Sequence, residues 1–199
     1  MKSRKLFKVC ALLMLAVMSC LLFSGCGGQS EQKKFVITYL PNESTDKNAD
    51  ARKGMAGDLS KVLGMEVTEL VSNDYNAVIE AMRTGKADMA YFGPLSFCLA
   101  YERAGAEPIG MIAKDKDKKN ATYKSVLVTS SKNTDINSIQ DIKGKTMAFV
   151  DPNSTSGNLI PSAAIMKAFP GEKLSMDDLH TNGKFFQAVS FSGKHQAGL

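Results

Sequence analysis

Between Val150 and Ile160 the chain reads Asp151-Pro-Asn-Ser154-Thr155-Ser156-Gly157-Asn-Leu. Three consecutive hydroxyl side chains followed by glycine cannot build a core. They can donate hydrogen bonds. The stretch follows an apolar run, Lys145 to Val150, and precedes an apolar helical pattern from about Gly157 to Phe169. The first N–H groups of a helix have no internal partners, and the helix dipole favours negative charge there. Hydroxyls added at that point make a seat for a tetrahedral oxyanion, and Gly157 would let the backbone approach it closely. The alternative is ordinary helix capping, for which one Ser or Thr suffices. The stretch is not a nucleotide phosphate loop, since no Lys follows its last glycine.

The elements that would carry this loop alternate. Strands are predicted at Phe35–Leu40, Met65–Val71, Ala87–Phe92, Pro108–Ala113, Tyr123–Thr129, Lys145–Val150 and Phe185–Phe191. Helices are predicted at Ala49–Val62, with Met55, Leu59, Val62 and Leu63 as its apolar positions, at Tyr75–Thr84, from Pro94 to about Ala104, and at Ile136–Ile142. Repeated strand–helix–strand units predict an α/β fold with mostly parallel sheets. In such sheets ligands bind beyond the carboxyl ends of the strands, where the Asp151–Gly157 loop falls. The charge run Lys114–Asn120 reads as a solvated loop, or as the passage between two lobes. After Phe191 eight residues remain, and "SGKHQAGL" should begin a helix. A lobe ending there would leave strand edges uncovered, so we expect an incomplete second lobe and a sequence that is a fragment or an interrupted gene.

The beginning of the chain is of a different kind. Lys2, Arg4, Lys5 and Lys8 precede an apolar run from Val9 to Phe23 that is short for a membrane span. Residues 1–25 read as a secretory signal peptide. Ser24-Gly25-Cys26, followed by Gly27-Gly28-Gln29-Ser30, resembles a bacterial lipoprotein processing site, with Cys26 lipidated and residues 26–34 a tether. Phe23 stands where that pattern prefers Leu, and Cys20 is a weaker second candidate. Several acyl chains would anchor the protein to the membrane. Of 25 basic residues the leader holds four, leaving 21 against 20 acidic ones, a net +1. The overall basicity therefore gives no reason to expect nucleic acid as a partner. Cys10 and Cys20 leave with the leader, so Cys98 would be the one free thiol, and we expect it buried as a small hydrophobe. His180 and His195 lack cysteine neighbours at zinc spacing, and we expect neither metal nor cofactor. His180 is expected at the surface.

Five segments together carry a family resemblance: "NDYNAVIEAMRTGKADMAYFGPLSF", "AGAEPI", "TYKSVLV", "DPNSTSGNLIP" and "FSGKH". In this order and spacing they resemble the PhnD family of phosphonate-binding lipoproteins of bacterial ABC importers, from about Phe35 to His195. The resemblance implies a two-lobed, type II periplasmic-binding-protein-like fold that closes on its ligand. It divides the chain into a first α/β lobe, 35–118, and an incomplete second lobe, 119–199. It implies that Ser154, Thr155 and Ser156 bind phosphonate oxygens. Tyr75, Tyr123 and His195 would reach the same group, and Tyr91 would line the cleft. Each of these four has a plain packing or surface alternative. The resemblance also implies a permease and an ATPase as partners, an extracytoplasmic, lipid-anchored location, and no catalysis. The family's acidic residues for an amino group lie past Leu199. Phosphonate, phosphite and phosphate esters all remain open as ligands.

Two competing functions can be weighed. An enzyme would use Ser154 or Ser156 as nucleophile with His195 as base, but the strained Gly-x-Ser-x-Gly turn is missing and no third residue orients the histidine. A ligand-sensing domain that reports an oxyanion to a membrane receptor would use the same lobes, and neighbouring genes for an ATPase and a permease would decide against it.

Overall fold

Phe35–Tyr39 (β1) is a run of β-branched and aromatic residues, and Pro41 follows it closely. It is the middle strand of a three-stranded parallel sheet with Val67–Val71 (β2) on one side and Met89–Tyr91 (β3) on the other. The register aligns Tyr39 with both Val71 and Tyr91, so all three strands end on one rim. The computed structural model describes residues 33–41, 46–113 and 115–198; Lys34–Leu199 is one compact unit. The leader, Cys26 and most of the tether lie outside the described residues.

Three helices serve the first sheet. Ala49–Leu63 (α1) ends where Gly64 adopts a left-handed conformation and donates to the Ser60 carbonyl. Its apolar positions do not form the expected buried stripe: no residue of α1 is buried, and Val62 is 81% exposed. Arg52 instead ties α1 to the sheet, pairing with Glu69 of β2 at 2.9 Å over the ring of Tyr39. Tyr75–Arg83 (α2) is capped by Asp74, whose carboxylate accepts from Ala77 N–H at 2.7 Å, and it buries Tyr75, Val78, Ile79 and Ala81. Pro94–Ala104 (α3) starts on a proline, which needs no partner there. Ile79 of α2 packs with Ala100 of α3 and Ala106. Ser96 and Ala100, one turn apart, face inward. Cys98, two residues from each, points the other way and is exposed, contrary to the expected burial.

The second sheet has two parallel strands, Thr146–Phe149 (β4) and Ala188–Phe191 (β5). Phe149, Ile165, Leu179, Phe185 and Phe186 form its core, with Met147, Phe169 and Val189 packed around them. Phe185 meets Phe186 and Phe169 edge-on at 4.9 Å. Ile160–Ala168 (α4) supplies Ile165. Met176–His180 (α5), a short helix the periodicity did not reveal, supplies Leu179 and begins at the reciprocal Ser175–Asp178 capping box. Hydrogen bonds from Ser175 hold the Asp178 carboxyl at about 2.

Two expected strands are not strands. Residues 108–113 and 123–129 are irregular and expose apolar side chains, among them Ile109 at 83% and Val126 at 67%. β-propensity is satisfied only by a partner strand, and among the described residues none pairs with either segment. The charge run behaves as a capped surface turn, in which Asp117 accepts from Lys119 N–H and Asp115 from the Asn120 amide. The helix expected at 136–142 is a single 3-10 turn, Ile139–Ile142, and the chain past Phe191 likewise ends in one, His195–Gly198.

Replacing Phe149 by Ala should cost about 3–5 kcal/mol in urea unfolding, whereas Val62→Ser should fall within about 0.5 kcal/mol of the parent. A large loss in Val62→Ser would show that α1 packs more tightly than its exposure indicates.

Candidate functional site

The loop after β4 is closed by its own hydrogen bonds. Val150 N–H donates to the Gly157 carbonyl (3.0 Å) and Ser154 N–H to the Asp151 carbonyl (2.9 Å). The Asp151 carboxylate accepts from Asn153 N–H at 2.8 Å, an Asx turn. Gly157 N–H donates to the Ser154 hydroxyl at 3.0 Å, so Ser154, 2% exposed, has the capping role. Leu159 N–H reaches back five residues to the Ser154 carbonyl, which widens the first turn, Thr155–Leu159, into a π-type turn ahead of α4. Gly157 is required by packing within the loop rather than by ligand approach. A β-carbon there would stand 2.3 Å from Val150 Cγ2 and 2.4 Å from Val150 Cβ.

The loop then reaches two helix starts from the first sheet. The Asp151 carboxylate accepts from the backbone N–H of Tyr75, the first residue of α2. Thr155 Oγ1 accepts from Leu95 N–H, in the first turn of α3, at 2.8 Å. The Ser125 hydroxyl donates to the Ser156 carbonyl at 2.7 Å, joining "TYKSVLV" to the same place. Three helix N-termini thus meet at residues 151–157: α2, α3 and the turn into α4. Their partial positive charges add, and the donors are neutral N–H and O–H groups rather than lysines or arginines.

Thr155, Ser96 and Tyr123 converge further. A β-carbon built on Gly93 would lie 3.5 Å from Thr155 Oγ1, 3.8 Å from Ser96 Oγ and 3.9 Å from the Tyr123 hydroxyl. Tyr123 is 58% exposed overall, yet its hydroxyl is at this point. Tyr75 is buried, packed with Leu40, Val78 and Val150, so its ring joins the first sheet to the base of the loop. Tyr91 is half-buried at the carboxyl end of β3, two residues before Gly93. His195, half-buried, follows a segment that runs beside the loop's base, where Ser192 N–H donates to the Phe149 carbonyl and Gly193 N–H to that of Val150. The sequence reading gave no role to Ser96, Ser125, Asp151 or Asn158, although all four stand in the segments that carry the resemblance; what each one bonds or faces is set by folding.

Two titratable groups flank the loop. Burial pushes the Asp151 carboxyl above its usual range, and the neighbouring Asp74 adds to this; N–H groups of Asn153 and Tyr75 work in the opposite direction. His180 was expected at the surface and is not free there. Its ring stands edge-on to Phe149 and Phe191, at 5.0 and 5.1 Å, and burial pulls its pKa down, with Asp177 opposing. Away from the loop, a hollow lined by Lys143, Glu172, Leu174, Asp178, Lys184 and Phe185 has its charges paired as Lys143–Glu172 and Lys184–Asp178. Among the described residues no group of three His, Cys, Asp or Glu side chains could hold a metal, and no helix is long and apolar enough to cross a membrane.

The family model for "ABC transporter, phosphonate, periplasmic substrate-binding protein" matches residues 37–199. This chain belongs to that family. It is 31% identical over 157 residues to a phosphate-import protein of Mycolicibacterium smegmatis, covering 74% of this chain and 49% of that protein. It is 31% identical over 145 residues to the phosphonates-binding periplasmic protein of Escherichia coli, covering 70% and 42%. A probable ABC transporter phosphite binding protein of Prochlorococcus marinus is 30% identical over 201 residues, covering 98% and 61%. The chain therefore spans about half the length of the relatives it matches. Among solved structures, a binding-protein component of a Pseudomonas aeruginosa ABC phosphonate transporter superposes with a TM-score of 0.63 at 23% identity, over 83% of this chain and 52% of that one. A Prochlorococcus marinus protein solved with methylphosphonate gives 0.54 at 23% identity, over 83% and 58%. These likenesses establish the α/β fold expected from the sequence, with parallel sheets and flanking helices.

Gly157→Ala should destabilise the chain by about 1–3 kcal/mol in denaturant unfolding, because its methyl overlaps Val150. An unchanged midpoint would mean that the loop relaxes away from the strand. The unfolded His180 side chain takes up a proton more readily than the folded one, so stability should fall as pH is lowered through about 6.5. His180→Gln should flatten that part of the curve, as read from melting temperatures between pH 7.5 and 5.5.

Proposed function

We propose that this chain is the solute-binding part of a bacterial ABC importer, taking a phosphonate, phosphite or phosphate-ester group between an N-terminal lobe, 35–118, and a C-terminal lobe, 119–199. The observation that carries the reading is the meeting of three helix N-termini at Asp151–Gly157, in a chain of this family. A dianionic headgroup there would replace its lost water with N–H and O–H donors. Thr155 and Ser156 are the nearest candidates for the anion's oxygens, with Ser154 behind them. The Tyr123 hydroxyl would close over it, Tyr75 and His195 would approach from either side, and Tyr91 would line the cleft. Donors contributed by both halves favour a closed form, so binding would shift an open–closed balance.

The chain would carry out no catalysis. The Ser154 oxygen serves as a helix cap, accepting from Gly157 N–H. Its partners would be a permease and an ATPase. Processing at Cys26 would place it outside the cytoplasm on a lipid anchor, beside that permease. A small anion carried without chemistry needs no cofactor.

Isothermal calorimetry with methylphosphonate, phosphite and inorganic phosphate tests this directly. At least one should bind, and Thr155→Val should weaken it about tenfold or more, the equivalent of roughly 1.4 kcal/mol. Gly93→Ala separates binding from folding. Its methyl makes only ordinary contacts with the surrounding hydroxyls, so melting should be little changed while the anion is displaced. Absence of binding by all three anions to the parent chain, or full binding by Gly93→Ala, would overturn the reading.

A further inference from the structure

His180, the last residue of α5, serves none of the roles above. Its Nε2 lies 2.7 Å from Oδ1 of Asn158, which is 2% exposed. The Asn158 amide is committed at both ends. Its Nδ2 donates to the Pro152 carbonyl at 2.9 Å, and its Oδ1 also accepts from the Ser162 hydroxyl at 3.4 Å. The atom facing His180 is therefore an acceptor, and the ring must present its N–H at Nε2. Residues 152 and 158 bracket Ser154, Thr155 and Ser156, so the buried Asn158 side chain works as a strap that ties the two ends of this stretch together. The His180 ring is itself fixed between Phe149 and Phe191, the paired last residues of β4 and β5. An apolar side chain would fill that space without burying an N–H. A histidine there has a donor that must be matched, and the loop matches it.

We propose that His180 and Asn158 are positioning residues for the anion seat: the Nε2–H of His180 fixes the Asn158 amide, and that amide ties Pro152 to the first turn of the following helix. The hydroxyls and N–H groups of residues 154–157 are thereby held in one arrangement before ligand arrives. A preorganised loop spends less of its binding energy on ordering itself. The inference rests on the anion-binding reading for its consequence, but the strap is a property of the loop itself.

The test compares the parent chain with His180→Phe, which keeps the packing against both rings and loses the donor, and with His180→Gln, which restores an N–H. Two readouts are taken: calorimetric affinity for methylphosphonate, and amide hydrogen exchange across residues 153–159 without ligand. His180→Phe should bind about tenfold more weakly, in line with the loss of one buried hydrogen bond, and exchange faster across the loop. His180→Gln should stay within about threefold of the parent, with near-parent exchange. If His180→Phe does not fold, His180→Met replaces it, likewise apolar and without the donor, and is judged by the same two readouts. Parent-like binding and exchange in His180→Phe would overturn the proposal. So would a His180→Gln variant as impaired as His180→Phe, since the ring would then act by packing alone. If the parent binds none of the three anions, the functional reading fails by itself, and the exchange comparison still decides whether His180 holds the loop.

Discussion

The constraint on which the rest depends is the pairing of backbone N–H groups at the starts of helices. Such groups have no partner within their own helix, and leaving one buried and unmatched costs about as much as a lost hydrogen bond. Here the starts of α2 and α3 are matched by Asp151 and Thr155 of a loop more than 50 residues later in the chain. That loop matches its own helical start with Ser154. The same interactions join the two sheets and gather partial positive charge in one place. On the proposed reading, an anion entering the loop would exchange places with protein acceptors rather than find bare donors.

The two sheets contribute differently to this arrangement. The second has the aromatic core, in which Phe149 touches Phe186, Phe191 and His180. Phe149 is also the last residue of β4, so the loop begins from a fully buried residue of this core. The first sheet supplies helix ends, and its first helix is held by the Arg52–Glu69 ion pair and by contacts of Arg52 and Met55 with Tyr39 rather than by a buried face. Stability and the candidate site thus share the residues around β4, whereas α1 and the irregular segment at 108–113 expose apolar surface; the segment 123–129 exposes Val126 but reaches the loop through Tyr123 and Ser125.

In the proposed role, neutral donors would suit reversible capture. Lysine or arginine in the loop would hold a dianion more strongly but would also attract any phosphate-bearing solute. Asp151, kept above the usual carboxylate range by burial and by Asp74, places a titratable acceptor next to the site. It is a competing acceptor for the same Tyr75 N–H that an anion's oxygen could take.

Much of the fold was legible because it is written in local patterns. Five of the seven predicted strands and the helices at 49, 75 and 94 follow from apolar periodicity, glycine stops and Pro94. The Ser175–Asp178 capping box was equally present in the sequence but heads a helix too short to show a period. The loop was legible as donors before a helix. What it touches was not, since Leu95, Ser125 and Tyr75 are brought to it only by the stacking of one sheet's helices against the other's loop. Periodicity likewise could not say that Cys98 and Val62 face outward, or that residues 108–113 and 123–129 lack strand partners, because burial and pairing are properties of neighbours distant in sequence. The sequence by itself determined the order of elements and the chemistry of Asp151–Gly157. Tertiary structure decided why Gly157 must be glycine, what Thr155 bonds, and that His180 belongs to the loop, because each of these depends on atoms brought within 4 Å by folding alone.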